Sequence, residues 1–193
     1  MNRKIILLFV FTIAAATAVF IFLNPAAPSS KLTSEEKAAR QKEQQIFAEW
    51  YEDYVFNLEQ LDFNWRQYHR ILNDFREEII DADTAAVRLA ELHDKQQDRL
   101  TAIKKHVPPT ELRSEIYDLT AAVYKKQYDF AAGQAATITK STSFLDNDGT
   151  ENLSDEEVIR KLDEITITNS PPALFTAEEI SAIRDYLVQA DEN

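Results

Sequence analysis

The residues best suited to chemistry in this 193-residue chain are five oxygen-bearing side chains near its C-terminal end. They lie within the stretch DNDGTENLSDEE, in the order Asp146, Asp148, Thr150, Ser154 and Glu157. Alternate oxygens can wrap a hard cation while a distal carboxylate closes the shell with two oxygens, as calcium requires. The spacing therefore predicts a weak calcium site, and calcium is the cofactor that the sequence suggests.

These twelve residues resemble an EF-hand loop, or a dockerin-type calcium loop of bacteria. The five side chains fall at loop positions 1, 3, 5, 9 and 12, and Leu153 takes the apolar position 8. The stretch departs from the pattern at position 6, where Glu151 replaces the glycine that permits a sharp turn. The resemblance implies calcium binding by this segment alone.

Helix capping explains the same residues without a metal. Ser154 followed three residues later by Glu157 is a capping box, and Leu153 with Val158 forms a hydrophobic staple around it. The segment that begins at Thr176 repeats the device. Both interpretations stay open at this point.

Other patterns of catalysis and metal binding are absent from the sequence. The chain has no cysteine, which excludes a thiol nucleophile, a thiolate metal site and disulfides. His69, His93 and His106 form neither an HxxxH nor an HExxH pattern, and no GxSxG or phosphate-binding glycine loop occurs. We therefore expect no enzymatic activity, and we expect His93 to be a hydrogen-bonded core residue. The net charge of −12 at pH 7 excludes nucleic acid as an expected partner and suits cations or basic partners.

The chain begins with an apolar segment that predicts a membrane location. Arg3 and Lys4 precede residues 5–23, a run of 19 uncharged residues. As a helix this run is roughly 28 Å long, close to the hydrocarbon core of a bilayer at about 30 Å. The two cations predict that the N-terminus stays inside and that the C-terminal domain lies outside the cytoplasmic membrane.

Residues 1–23 can be read either as a membrane anchor or as a signal segment. Ala16, Thr17 and Ala18 offer a small-residue cleavage site, after which the chain would be secreted. The run stays apolar from Val19 to Leu23, which favours an uncleaved single-pass anchor.

The composition predicts an all-α fold. Gly133 and Gly149 are the only glycines, too few for the turns of a β-rich protein. Residues 24–32 are predicted to be a linker and residues 33–144 an antiparallel three-helix, coiled-coil-like bundle. Residues 145–193 then hold the acidic loop and a tail of two short helices.

The first helix is predicted from Thr33, where Glu36 completes a capping box, to about Ile80. Its apolar residues are spaced alternately four and three apart, which is an unbroken heptad seam. The seam consists of Phe47, Tyr51, Tyr54, Leu58, Leu61, Trp65, Tyr68, Leu72, Phe75 and Ile79. Three more aromatic residues lie off it, Trp50, Phe56 and Phe63. Burial under other helices is the simpler explanation of these three, and a sugar- or peptide-binding face is the alternative.

Two further long helices complete the predicted bundle. The second runs from Asp83, as N-cap, to about His106, and the third runs from Thr110 until it weakens within 139–144. The seam of the second helix reads Ala86, Leu89, His93, Gln96, Leu100, Ile103 and Val107. The apolar face of the third reads Leu112, Ile116, Leu119, Val123 and Phe130. Short helices near 154–165 and 176–189 are expected to pack on each other or on the end of the bundle.

These features predict a membrane-tethered, extracytoplasmic helical bundle with an interaction or scaffolding role in the cell envelope. Its expected partners are the membrane, through residues 5–23, and another envelope protein. The alternative is a calcium-binding regulatory module that works through residues 146–157.

Overall fold

The computed structural model describes residues 33–146, 150 and 152–188. These residues form helices and no strand: α1 Ser34–Arg76, α2 Ala82–Lys105, α3 Ser114–Leu145, α4 Asp155–Thr168 and α5 Ala177–Val188. The predicted all-helical bundle is confirmed. The predicted membrane segment, residues 5–23, lies outside this part of the chain, within which no helix is both long enough and apolar enough to cross a bilayer.

Helices α1, α2 and α3 run up, down and up, and α4 and α5 together run down along their side. Near the C-terminal end of α1, Leu162 of α4 packs in one apolar cluster with Tyr68 and Phe75. Near its N-terminal end, Ile183 of α5 packs in another cluster with Phe47. The two short helices therefore lie neither on each other nor on the bundle end, and we call residues 155–188 the fourth rod.

The predicted seam of α1 is the centre of the core. Its buried members are Phe47, Tyr51, Tyr54, Leu61, Tyr68, Leu72 and Phe75, while Leu58 and Trp65 are half-buried. Ile79 is an error of the prediction, because α1 ends at Arg76 and leaves this side chain exposed. Glu78 adopts a positive φ of 56°, and the Ile79 N–H then bonds the Asp74 carbonyl at 2.9 Å. This is a Schellman ending, built here without the usual glycine.

The starts of α2 and α3 also differ from the predicted caps. Asp81, not Asp83, caps α2, and its carboxylate accepts the N–H of Thr84 at 2.8 Å. Helix α3 begins at Ser114 instead of near Thr110, and no side chain of its own caps it. Glu43 of α1 acts as the cap instead, because its carboxylate accepts a hydrogen bond from the backbone N–H of Arg113 at 2.7 Å. The same carboxylate pairs with the Arg113 guanidinium at 2.7 Å, so α1 closes the start of α3.

Helices α2 and α3 depart from prediction at their C-terminal ends. Val107 is exposed, because α2 ends at Lys105. Helix α3 does not weaken within 139–144 but continues to Leu145. Its small and β-branched residues there face inward, and Ile138 and Ser141 are fully buried. Packing against neighbouring helices thus overrides a weak intrinsic helix propensity.

The middle of the bundle is polar. Asn64 of α1 donates to the side-chain oxygen of Gln96 on α2 at 2.9 Å, and Gln96 donates to Gln134 of α3 at 3.2 Å. All three amides are buried. These bonds require exact placement and so favour one register of the three helices, although the Nε2 of Gln134 has no hydrogen-bond partner within the described residues.

The fourth rod is broken where it crosses α3. A Cβ placed on Gly133 would lie 2.8 Å from the Cα of Pro171, so only glycine lets the two backbones come this close. Lys126 holds one side of the crossing by donating to the Phe175 carbonyl at 2.7 Å. Lys140 holds the other side by donating to Asn169.

Hydroxyl groups attach the fourth rod to the seam of α1. The Tyr68 hydroxyl bonds Thr166 of α4 at 2.6 Å and Ser141 of α3 at 2.9 Å. The Tyr54 hydroxyl bonds Thr176 at 2.8 Å, and burial raises the pKa of Tyr54 to about 12. The rings of Tyr54 and Tyr68 therefore pack in the core, while their hydroxyl groups form hydrogen bonds to the fourth rod.

Candidate functional site

Phe56 and Phe63 lie on an open face of α1, contrary to the predicted burial. They are 51% and 49% exposed, whereas Trp50 is buried as predicted and stacks on His106. The two phenylalanines are seven residues apart and so project from the same side of the helix. This side faces the solvent along α2, away from α3 and the fourth rod.

A groove of about 330 Å³ separates α1 from α2 next to Phe63. Its floor includes Ile71 and Leu92, which are buried. Its walls carry Phe63, Gln67, Arg70, Asp74, Arg88, Glu91 and Lys95. We call this surface, together with Phe56 and Arg99 beyond one end, the α1–α2 groove.

The cations of the α1–α2 groove outnumber its carboxylates. Arg70 and Arg88 both approach a single carboxylate, that of Asp74, at 3.9 and 3.3 Å. Lys95 and Arg99 form no ion pair with any carboxylate in the described part of the chain. With Arg99 included, the groove holds four cations against two carboxylates, Asp74 and Glu91, so it carries a small positive charge on a protein of net charge −12.

Arg99 is held in place by neutral groups. Its guanidinium carbon lies 5.1 Å from the centroid of the Phe56 ring, within the range of a cation–π contact. The same group donates to the buried Asn57 at 2.9 Å. Partial burial lowers the pKa of Arg99, because it removes water from the charged form. An incoming carboxylate would find this cation already oriented.

The histidines show where the sequence prediction failed. His93 is half-buried and not a core residue, with its Nδ1 3.2 Å from the Asp94 carboxylate. His106 lies against Trp50, with ring centroids 5.4 Å apart, and its Nε2 is 3.6 Å from the Asp53 carboxylate. Burial lowers the pKa of His106, and Asp53 opposes the shift.

Four of the five residues predicted to bind calcium lie in the described part of the chain. Asp146 follows the last turn of α3 and is exposed, and Thr150 is half-buried. Asp148 lies outside the described residues. In that part of the chain no three His, Cys, Asp or Glu side chains come together as a metal site would need.

Ser154 and Glu157 form the predicted capping box at the start of α4. One Glu157 oxygen, Oε2, accepts the Ser154 N–H at 2.9 Å and its hydroxyl at 3.0 Å. The Glu157 N–H returns a bond to the Ser154 hydroxyl at 3.4 Å. Hydrogen bonds from the Ser154 backbone and hydroxyl hold the pKa of Glu157 below its usual range. Coordination of calcium by both Glu157 oxygens would compete with this cap.

No known protein family, curated protein or solved structure matches this chain. The function must therefore be argued from its own surfaces. Sequence reasoning did not single out Lys95 and Arg99. Their spacing of four on α2 was a signal, but nothing in the sequence indicates that this side of α2 meets Phe56 and Phe63.

Proposed function

We propose that this protein is a membrane-tethered interaction module whose α1–α2 groove binds another protein of the cell envelope. The observation that carries the proposal is the pair Phe56 and Phe63, half-exposed beside cations that lack carboxylate partners. Burying a phenylalanine contributes roughly 1.5–3 kcal/mol, so a partner that covers both rings gains substantially. Aromatic and arginine side chains are also the residues that most often dominate binding energy at protein interfaces.

The tether rests on the sequence of residues 5–23. Their length and lack of charge suit a single bilayer crossing, and Arg3 and Lys4 favour an N-terminus inside. Helix α1 starts only eleven residues after this run. The bundle would thus stand on the outer side of the membrane, close to its surface.

Two measurements on the full chain in its native cells test this proposal. The chain should stay in the membrane fraction through an alkaline wash, and its N-terminal peptide should be intact by mass spectrometry. A benzophenone side chain at Phe63 should form one discrete protein adduct on irradiation, whereas one at Glu156, exposed on α4, should form none. Release of a chain that begins at Val19 would contradict the proposed membrane tether. Equal labelling from both positions would contradict the proposed interaction surface.

Calcium binding by residues 146–157 is the second candidate function. Asp146 is exposed at the end of α3, although Glu157 is engaged in the Ser154 cap. We expect a dissociation constant of roughly 10⁻⁴ to 10⁻³ M, the range of extracellular modules. Calorimetric titration of the full chain should show saturable heat that is lost in Asp146→Ala and Glu157→Gln. Equal heat in all three proteins would leave only the capping box.

A further inference from the structure

We infer that the segment bound in the α1–α2 groove is an amphipathic helix with acidic side chains beside its apolar face. The inference rests on the proposed function, because it names the chemistry of the partner at the same groove. It differs from what the whole-chain charge suggests, since an acidic protein is expected to attract basic partners.

The charges of the groove favour carboxylates. Lys95 and Arg99 lie one helical turn apart and have no carboxylate partner within the described residues. Two arginines share Asp74, and Glu91, the other carboxylate of the groove, forms no ion pair within the described residues, so the cations remain in excess. At physiological ionic strength charges further than about 8 Å apart are largely screened, so these nearby cations outweigh the distant acidic surface.

The shape of the groove favours a helix. It runs between two antiparallel helices, and its residues extend over 18 positions of α1, from Phe56 to Asp74. At the helical rise this is roughly 27 Å, or about five turns of a partner helix. Phe56 and Phe63 are one heptad apart and match apolar residues at the same spacing on the partner. A strand would need a sheet edge, and the described residues contain no strand.

Other occupants fit less well. Two copies of this chain that met face to face at the groove would bring its excess of cations against the same excess on the second copy. An anionic membrane or a nucleic acid presents negative charge over a wide area, and the acidic surface around the groove would repel it.

The first test identifies the peptide that crosslinks to position 63 of the full chain in its native membrane. We expect a helical segment with Glu or Asp flanking apolar residues three, four and seven apart. Adduct yield should fall at least tenfold in Lys95→Glu and stay unchanged in Lys161→Glu, an exposed control on α4 with the same change of charge. An adduct with lipid, with a second copy of this chain or with a non-acidic segment overturns the inference while leaving a binding surface. Absence of any adduct overturns the proposed function as well.

A second test uses two designed probes and the purified full chain in detergent. Both are 18-residue helical peptides of Ala and Leu with identical apolar faces, and one carries Glu where the other carries Lys. We expect fluorescence anisotropy to show at least tenfold tighter binding of the Glu peptide. Lys95→Glu should remove that preference and higher salt should weaken it, whereas Phe63→Ala should weaken the binding of both peptides alike. Equal affinity for both peptides, or a preference for the Lys peptide, overturns the inference.

Discussion

Helix α1 runs unbroken for 43 residues, whereas the fourth rod beside it is interrupted between Thr168 and Ala177. Helix α1 packs through a continuous row of aromatic and aliphatic side chains. The fourth rod has few buried aliphatic residues, such as Leu162 and Ile183. It is also held by hydrogen bonds from hydroxyl, amide and lysine groups. Apolar packing is non-directional and depends on area, while hydrogen bonds depend on exact placement.

Because the two regions are held by different interactions, they should unfold in different ways. Damage to the seam of α1 removes a part of the core that every other helix shares, so the whole bundle should unfold. Damage to the attachment of the fourth rod should open that rod locally while α1, α2 and α3 stay folded.

Leu61→Asp should unfold the bundle. Leu61 is fully buried in a cluster with Ile103 and Ala131, so an aspartate there places an unpaired charge between three helices. We expect a loss of roughly 4 kcal/mol or more in the free energy of unfolding, measured by urea denaturation of the full chain in detergent. Phe63→Asp, two residues along on the open face, should cost far less. Equal losses would show that the seam does not carry the core.

Gly133→Ala should loosen the fourth rod. In a helix this change normally stabilises, but here the added methyl would meet the backbone of Pro171 at 2.8 Å. We expect a net loss of roughly 1–3 kcal/mol and faster hydrogen exchange in α4 and α5, with α1 unchanged. Ala136→Gly, an exposed site on the same helix, provides the opposite substitution and should cost about 1 kcal/mol through propensity alone. A stabilised Gly133→Ala would mean that the crossing is not tight.

Tyr68→Phe should weaken the same attachment by a smaller amount. It keeps the ring in the seam and removes the hydroxyl that Thr166 and Ser141 share. We expect a loss of roughly 1–2 kcal/mol, with faster exchange mainly in α4. Tyr117→Phe, which removes a hydroxyl from a half-buried ring on α3, is the matched control and should change little. Exchange that rises equally in α2 would contradict the local effect.

Glu78→Gly should stabilise the end of the first rod. Glu78 holds a positive φ of 56°, which costs a non-glycine residue roughly 1–2 kcal/mol and costs glycine little. After the greater flexibility of glycine in the unfolded chain is counted, we expect a gain of up to about 1 kcal/mol. Glu77→Gly, one residue earlier, lacks the positive φ and should destabilise. A loss in both variants would rule out strain at Glu78.

The smallest expected effect is a dependence on pH through His106. Burial lowers the pKa of this imidazole, so the unfolded chain takes up the proton first as the pH falls below about 6.5. The stability that neutral His106 contributes is present above that pH and is lost between it and the lower pKa of the folded state. His106→Gln should flatten this part of the curve of unfolding free energy against pH. The same slope in both proteins would assign it to other groups.

The aromatic seam of α1 could be predicted because a heptad pattern depends only on spacing along one helix. The capping box of Ser154 and Glu157 was predictable for the same local reason. The position of the fourth rod was not, because it depends on hydroxyl pairs 98 and 122 residues apart in the chain. The three-amide layer likewise has no local signal.

The candidate site likewise could be predicted only in part, because it depends on how the helices pack. Phe56 and Phe63 were identified as off the seam, yet their exposure depends on which side of α1 the fourth rod covers. Glu43 caps α3 only because that helix docks beside it, a contact that no local pattern indicates. The predicted calcium ligands stay a prediction, since Asp148 lies outside the described residues.

The bond from Gln44 on α1 to the carbonyl of Leu187 on α5, at 2.9 Å, places the two ends of the described chain at the same end of the bundle. If residues 5–23 anchor that end in the membrane, the position of a residue along α1 gives its approximate height above the bilayer. Its 43 residues reach roughly 65 Å, and Leu145 and Leu153, which flank the acidic loop, pack against Phe75 and its neighbours near the far end. Phe56 and Arg70 then stand roughly 33 and 54 Å above the start of the helix. A partner must reach into that interval, which a peptide lying flat on the bilayer cannot do.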